Sequence, residues 1–259
     1  MACAIQRGMA RIRTWLSSAV LLALLALLGL MSLAWNLLAV PLYPLLSPGR
    51  GRAVGRAGIA ACYRAFWALA GLSGMLKIES SVLDRFRDEA GLIIVANHPS
   101  MLDALILVAR LPRSACIMKA ELMRNIFLGA GARLARYSRN DSARSMIRLT
   151  VQDLKRGGQL VIFPEGTRTT LRPINPFRPG VTLIAKLADA PIQTVFIDTD
   201  SPYLGKGWPL WKLPPLPMVF SVRLGERFAP SPEPHTLLRT LEDYFVANLI
   251  APAPQGRCP

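Results

Sequence analysis

The sequence predicts an α/β fold: a central, mostly parallel sheet flanked by helices and preceded by an N-terminal apolar helix or helical hairpin. Three observations carry this expectation. Short apolar runs bounded by glycine, proline and polar residues recur between positions 76 and 224, as strands buried on both faces require. Stretches with helical apolar spacing alternate with them. Ahead of both, positions 14 to 49 hold no charged residue. On this pattern the 259 residues divide into N-terminal membrane-associating helices (1–74), an α/β domain (75–250) and a flexible C-terminal tail (251–259).

The N-terminal run has its apolar core at residues 15–40. A helix crosses the hydrocarbon with about 20 apolar residues, so this run is long enough to span. The apolar core of a secretory signal is only about 7–15 residues, so the run reads as a retained membrane segment. Arg7, Arg11 and Arg13 precede it, and Arg50, Arg52, Arg56 and Arg64 follow. Basic residues on both flanks give no orientation by the positive-inside rule. A hairpin that enters and leaves by the cytoplasmic face, turning near Pro41, Pro44 and Pro48, reconciles them. Beyond it, Ile59, Cys62, Tyr63, Phe66, Trp67 and Ala70 share one helical face, with Arg56 and Arg64 off it. That pattern fits an interfacial helix or a core helix of the domain.

Hydrophobic residues make up 52% of the chain and the net charge is +15, with mean hydropathy +0.33 and a pI near 10.7. Such a balance implies an anionic partner, either nucleic acid or an acidic membrane surface. No nucleic-acid recognition motif is present and the basic residues are scattered, so the apolar N-terminus decides for the membrane. Cys3, Cys62, Cys116 and Cys258 show no paired spacing, which argues for free thiols in a reducing compartment rather than a disulfide or zinc framework.

In the domain, the candidate strands are 76–79, 92–96, 115–118, 159–163, 192–197 and 220–224. Asp141 or Ser142 can cap a helix with Ile147, Val151 and Leu154 on its apolar face, ended by Gly157-Gly158. A last helix places Leu238, Leu241, Phe245 and Leu249 together. Residues 201–217 have no periodicity and form either a substrate-side loop or a long surface connection. In parallel sheets, sites gather where strands end and loops begin. The polar junctions here are 97–103, 119–121 and 164–168.

At the first junction the chain reads Ala96-Asn97-His98-Pro99-Ser100-Met101-Leu102-Asp103. Pro99 suits a first helical turn, so a helix is expected from Ser100 to Arg110. Five residues do not share a helix face. His98 would therefore sit just before the helix, turned back so that a ring nitrogen meets the Asp103 carboxylate. Such a carboxylate fixes the tautomer and stabilises the imidazolium, leaving the other nitrogen to act as a general base. Taken alone, the pair reads first as a helix-capping histidine beside a surface aspartate. The third junction is Phe163-Pro164-Glu165-Gly166-Thr167-Arg168. Glycine admits close backbone approach, and the Arg168 fork suits a phosphate. Glu165 fits there if it accepts from substrate hydroxyls or positions Arg168. Alternatively, the stretch is a tight turn with an incidental ion pair. Lys119, in Lys119-Ala120-Glu121-Leu122, offers a second positive charge or is simply solvated.

Together these motifs resemble the glycerolipid acyltransferases, typified by 1-acyl-glycerol-3-phosphate acyltransferase. HPSMLD is similar to the family's H-x4-D motif and FPEGTR to its phosphate-binding motif, while KAEL resembles the block between them. The resemblance spans roughly residues 76–224. It implies that His98 deprotonates an acceptor hydroxyl with Asp103 in support, and that the oxygen attacks a thioester carried on coenzyme A or acyl carrier protein. It also implies that Arg168 and Lys119 hold an acceptor phosphate in a pocket shaped by Glu165, Gly166 and Thr167. No metal or other cofactor is needed, only acyl-CoA or acyl-ACP as co-substrate, and a membrane lipid is the partner. The implied location is the cell inner membrane, with the catalytic domain on the cytoplasmic face. Nothing in the sequence specifies an oligomeric state.

Two departures bear on the acceptor. Arg136 stands where the family has glycine, and Thr194 replaces the second proline of a Val-Pro-Val-like strand entry. In wording the chain resembles bacterial members of specialised lipid or aryl-polyene pathways. A lysophosphatidate-like acceptor is thus expected first, with a lyso-ornithine lipid or aryl-polyene-type acceptor as the alternative. A serine hydrolase on Ser100 lacks the G-x-S-x-G elbow. A catalytically silent membrane scaffold would lose His98, Asp103 or Arg168, and all three are present.

Overall fold

The computed structural model describes residues 2–140 and 142–250. The expected tail 251–259 and the alternative cap Asp141 lie outside the described residues. Seven strands form one sheet: β1 (Leu76–Glu79), β2 (Ile93–Ala96), β3 (Ser114–Met118), β4 (Ser138–Arg139), β5 (Gln159–Ile162), β6 (Ile192–Thr199) and β7 (Met218–Phe228). Their order is β1-β7-β6-β2-β5-β3-β4. Every neighbouring pair is parallel except β6 with β7.

The strands show why short apolar runs announce them. In central β2, Ile93, Ile94, Val95 and Ala96 are all fully buried. Ile94 and Ala96 join one core with Val161, Val195 and Ile197. Ile93 and Val95 join the opposite core with Leu160, Ile192 and Phe196. Alternation by two thus feeds both faces of the sheet. The first core is closed by helices α1 (Ala2–Leu45), α2 (Pro48–Leu72) and α3 (Asp103–Arg110). The second is closed by α5 (Ala143–Lys155), α6 (Gly180–Ala188) and α7 (Pro234–Ile250), while α4 (Gly129–Leu134) packs on the N-terminal helices. Ser142 caps α5, accepting from the Ser145 N–H at 3.4 Å. Leu241 and Phe245 of α7 are fully buried, as their spacing predicts.

The N-terminal hairpin departs from its expected form in two ways. Helix α1 continues through Pro41 and Pro44 and breaks only at residues 46–47, where Pro48 opens α2. Proline fits a first helical turn because its missing N–H is unneeded there, so Pro48 alone marks the turn. Helix α2 is a core helix, and Arg56 lies on its buried side rather than off it. The Arg56 guanidinium donates to the carbonyls of Ala135 (3.1 Å) and Arg113 (2.9 Å), and it pairs with Asp153 at 2.8 Å. A charge can be buried when its donors are matched in this way.

Helix α1 lies along the domain. Leu24, Leu27, Leu28 and Met31 pack on the first core, and Leu21 is buried in it. Gly58 of α2 lets Trp35 approach so closely that a Cβ there would collide with the ring. Buried Asn36 accepts from the Gly131 N–H at 2.9 Å and donates to the Phe127 carbonyl. The other side of α1 leaves Leu22, Leu30, Leu37, Leu38, Val40 and Leu45 exposed. By length and composition α1 contains one candidate membrane span, Ile12–Leu45.

Candidate active site

The carboxyl ends of β2, β5, β3 and β6 share one edge of the sheet, and the polar junctions all open there. After β2 the chain turns through residues 97–102 before α3 begins at Asp103, three residues later than expected. Asp103 therefore stands in the first turn of α3. His98, before it, reaches back so that Nδ1 lies 2.9 Å from the Asp103 Oδ2. The same oxygen accepts from the Ser100 N–H at 2.7 Å. The His98 ring stacks on Phe163, 4.0 Å between centroids and 18° between planes. Asp103 is fully buried, while the His98 side chain keeps 17% of its surface exposed. The carboxylate end is thus sealed and the ring's outer edge open. Among the described residues nothing bonds Nε2.

Burial pushes the Asp103 carboxyl up to about 6, against the opposing hydrogen bond and charge of His98 and the Ser100 N–H. Its Oδ1 is buried with no hydrogen-bond partner among the described residues. When ionised, Asp103 accepts from Nδ1–H and leaves the Nε2 lone pair outward. That is the arrangement a general base requires.

Glu165 departs from its expected role. It is buried, at 3% exposure, and among the described residues its carboxylate makes no hydrogen bond to Arg168. Its Oε1 accepts from the His98 N–H (3.0 Å) and the Thr169 hydroxyl (2.7 Å), and its Oε2 from the Asn175 N–H (2.9 Å). The Thr169 N–H donates to the His98 carbonyl at 2.8 Å. Both peptide groups of His98 are therefore held by the loop after β5. A buried carboxylate needs such donors, and here they belong to the chain itself.

Arg168 is half-buried, and its Nη1 donates to the carbonyls of Leu204 (2.8 Å) and Gly205 (3.0 Å). It clamps the irregular 201–217 segment to the site. Ser100 reinforces the clamp by donating to the Tyr203 carbonyl at 2.9 Å. Of the two readings of that segment, the site-side loop fits. Gly166 sits at φ +68°, a left-handed conformation, and a Cβ there would meet the Arg178 side chain at 2.5 Å. Thr167 is half-buried beside it. Lys119 follows β3 and is exposed. It stands two strands from β2, about 10 Å across the sheet.

Sequence reasoning missed several positioning groups. Asn97 continues the β2–β6 pairing with its side chain, donating to the Ile197 carbonyl (2.9 Å) and accepting from the Ile197 N–H (2.8 Å). Thr169 and Asn175 fix Glu165, and exposed Arg178 covers Gly166. Polar residues next to the two motifs were the available signal. The two departures fall elsewhere. Thr194 is buried at the irregularity between β6 and β7, donating to the Glu226 carbonyl at 2.7 Å. Arg136 lies beside Tyr43 at the hairpin elbow. Among the described residues no group of three or more His, Cys, Asp or Glu is arranged to hold a metal ion.

Comparison with known proteins gives three matches. The family model described as Acyltransferase matches residues 77–198, which contain both motifs. A Caenorhabditis elegans protein named "Putative 1-acyl-sn-glycerol-3-phosphate acyltransferase acl-2" is 30% identical over 118 residues, and the match covers 42% of this chain and 42% of that protein. The crystal structure of the 1-acyl-sn-glycerophosphate acyltransferase PlsC from Thermotoga maritima superposes with a TM-score of 0.67. It covers 92% of this chain and 95% of its own at 20% identity, which establishes a shared fold.

Proposed function

Since residues 77–198 match the family model described as Acyltransferase, we propose that the protein transfers a fatty acyl group from acyl-CoA or acyl-ACP to the hydroxyl of a lysophosphatidate-like acceptor. The carrying observation is the His98–Asp103 pair, with Nδ1 committed to a buried carboxylate and Nε2 open. In this reaction Nε2 removes the acceptor hydroxyl proton as its oxygen attacks the thioester carbonyl. Collapse of the tetrahedral intermediate breaks the C–S bond, and the thiolate leaves with the proton returned from the imidazolium. General-base help of this kind contributes about 10²–10⁴ in rate. Asp103 and the Phe163 face both favour the imidazolium formed midway. Lys119, Arg168 and Arg178 supply positive charge around the same edge for an acceptor phosphate.

The hairpin supports a membrane setting. One side of α1 is seated on the domain and the other is exposed and apolar, which fits a helix lying in the plane of one leaflet. The free thiols Cys62 and Cys116 and the basic surface favour the cytoplasmic face of the inner membrane.

Purified protein assayed with lysophosphatidate, glycerol 3-phosphate, lyso-ornithine lipid and a hydroxylated polyene precursor, each with both donors, tests the assignment. Turnover of lysophosphatidate, abolished in His98→Ala with vesicle binding intact, is expected. Full activity of His98→Ala removes the general base, and turnover of only a phosphate-free lipid replaces the acceptor.

A further inference from the structure

Away from the dyad, a cavity of about 760 Å³ runs between the hairpin elbow and α5. Five arginines line it: Arg52, Arg133, Arg136, Arg139 and Arg156. Asp153, the one acid lining it among the described residues, pairs with Arg52 (2.9 Å) and Arg56 (2.8 Å). Pro48 and Gly49 line the mouth, so the first turn of α2 opens onto the cavity. That turn carries no acidic residue, and its N-cap Ser47 makes no side-chain hydrogen bond. A 25-residue helix thus adds its positive end to the arginines.

Arg136 is the telling member. It holds φ +57°, a conformation that strains any side chain other than glycine. In that pose its guanidinium lies 4.6 Å from the centre of the Tyr43 ring and donates to the Tyr43 hydroxyl at 2.8 Å. The Arg156 guanidinium bonds nothing among the described residues. Helix α1, whose Tyr43 lines the cavity, exposes Leu37, Leu38, Val40 and Leu45 along the same C-terminal turns. Concentrated positive charge directly adjoining exposed apolar surface suits an anionic amphiphile.

We infer that this cavity binds the phosphate headgroup of an anionic bilayer phospholipid, whose acyl chains lie along the outer side of α1. It is a second lipid site, centred three strands across the sheet from β2 and the His98–Asp103 pair, and it fixes the domain's orientation on the membrane. The inference rests on the in-plane reading of α1.

The test is vesicle co-sedimentation of the full chain with phosphatidylcholine vesicles, with and without phosphatidylglycerol. The pocket variant is Arg136→Gly with Arg156→Ala, and the same-charge control is Arg87→Ala with Arg239→Ala, both exposed and outside the cavity. Glycine relieves the strained φ at 136, so the Tm of the pocket variant should hold or rise. Wild type should bind phosphatidylcholine through α1 and bind more tightly with phosphatidylglycerol. The pocket variant should lose at least about tenfold of that increment and the control under about threefold, since each arginine at an anionic surface contributes about fivefold. Equal losses in the two variants overturn the site, as does displacement of the increment by coenzyme A, which would make the cavity a nucleotide-phosphate site. Failure to bind phosphatidylcholine alone refutes the in-plane helix instead, which keeps the two readings distinguishable.

Discussion

Glu165→Gln separates a carboxylate that binds substrate from one that holds the base in place. Glutamine keeps the volume but offers a single acceptor oxygen and an amide that only donates. With the oxygen at the Oε1 position it keeps His98 and Thr169 and sets NH₂ against the Asn175 N–H. The reverse orientation sets NH₂ against the His98 N–H. Either way one of the two backbone donors that fix Glu165 is orphaned, and the loop that positions His98 loosens. A lost bond to a charged group costs about 1.5–3 kcal/mol and an unpaired buried donor about 1–3, so roughly 2.5–6 kcal/mol is expected. For a chain of this size each kcal/mol shifts Tm by about 2–4 °C, which gives a fall of roughly 5–24 °C. Below the new Tm, displacement of the imidazole should lower kcat by about 10²-fold, with KM for the acceptor nearly unchanged. Differential scanning fluorimetry and steady-state acyl transfer read the two effects. A raised acceptor KM with kcat and Tm intact would refute the reasoning and return Glu165 to substrate hydroxyls.

The raised Asp103 carboxyl makes activity and stability move oppositely with pH. Activity should fall as pH drops through about 6, because protonated Asp103 no longer accepts from Nδ1–H. Folding favours that protonated form, so stability should rise through the same window, the gain being complete below the ordinary value of 3.8. Asp103→Asn should accordingly lose about 10³–10⁴ in kcat through the wrong tautomer, yet melt higher at pH 8; a lower Tm there would mean that the ionised carboxylate stabilises the fold. Arg168→Ala should loosen residues 201–205, raising proteolysis there and lowering activity with both acceptor types, more steeply with the phosphorylated ones. Loss confined to phosphorylated acceptors would make Arg168 a phosphate ligand before a clamp. Arg56→Ala should cost about 3–5 kcal/mol in urea unfolding, since it strips a buried ion pair and two carbonyl partners. A loss under about 1 kcal/mol is what a surface arginine gives.

What the sequence made legible follows the reach of each interaction. Strand β2 was plain because four successive apolar residues serve two cores, a local pattern with a local cause. Strand β4 is two residues long and has no period to detect. Arg56 looked solvent-facing because a charge on a helix normally is, and Asp153, its half-buried partner, comes far later in the chain. The same limit hid the role of Glu165, whose partners include the backbone N–H groups of His98 and Asn175. Main-chain donors carry no residue signature.

The spacing between the two motifs therefore has a mechanical meaning. His98 and Glu165 are 67 positions apart in the chain, yet β2 and β5 are hydrogen-bonded neighbours. Parallel pairing sets Val95 against Ile162, so the residues after them leave the sheet side by side. Glu165 and Thr169 then grip the N–H and C=O of His98, while Asp103 and Phe163 set its ring. A general base needs a fixed position as much as a suitable basicity, because a displacement of about 1 Å can cost 10²-fold in rate. Asp103 supplies the charge and the tautomer, and the loop after β5 supplies the position. His98 thus depends on two motifs that look independent along the chain, and substitutions at Glu165 and Asp103 should each impair kcat by a different route: one displaces the ring, the other changes which nitrogen carries its proton.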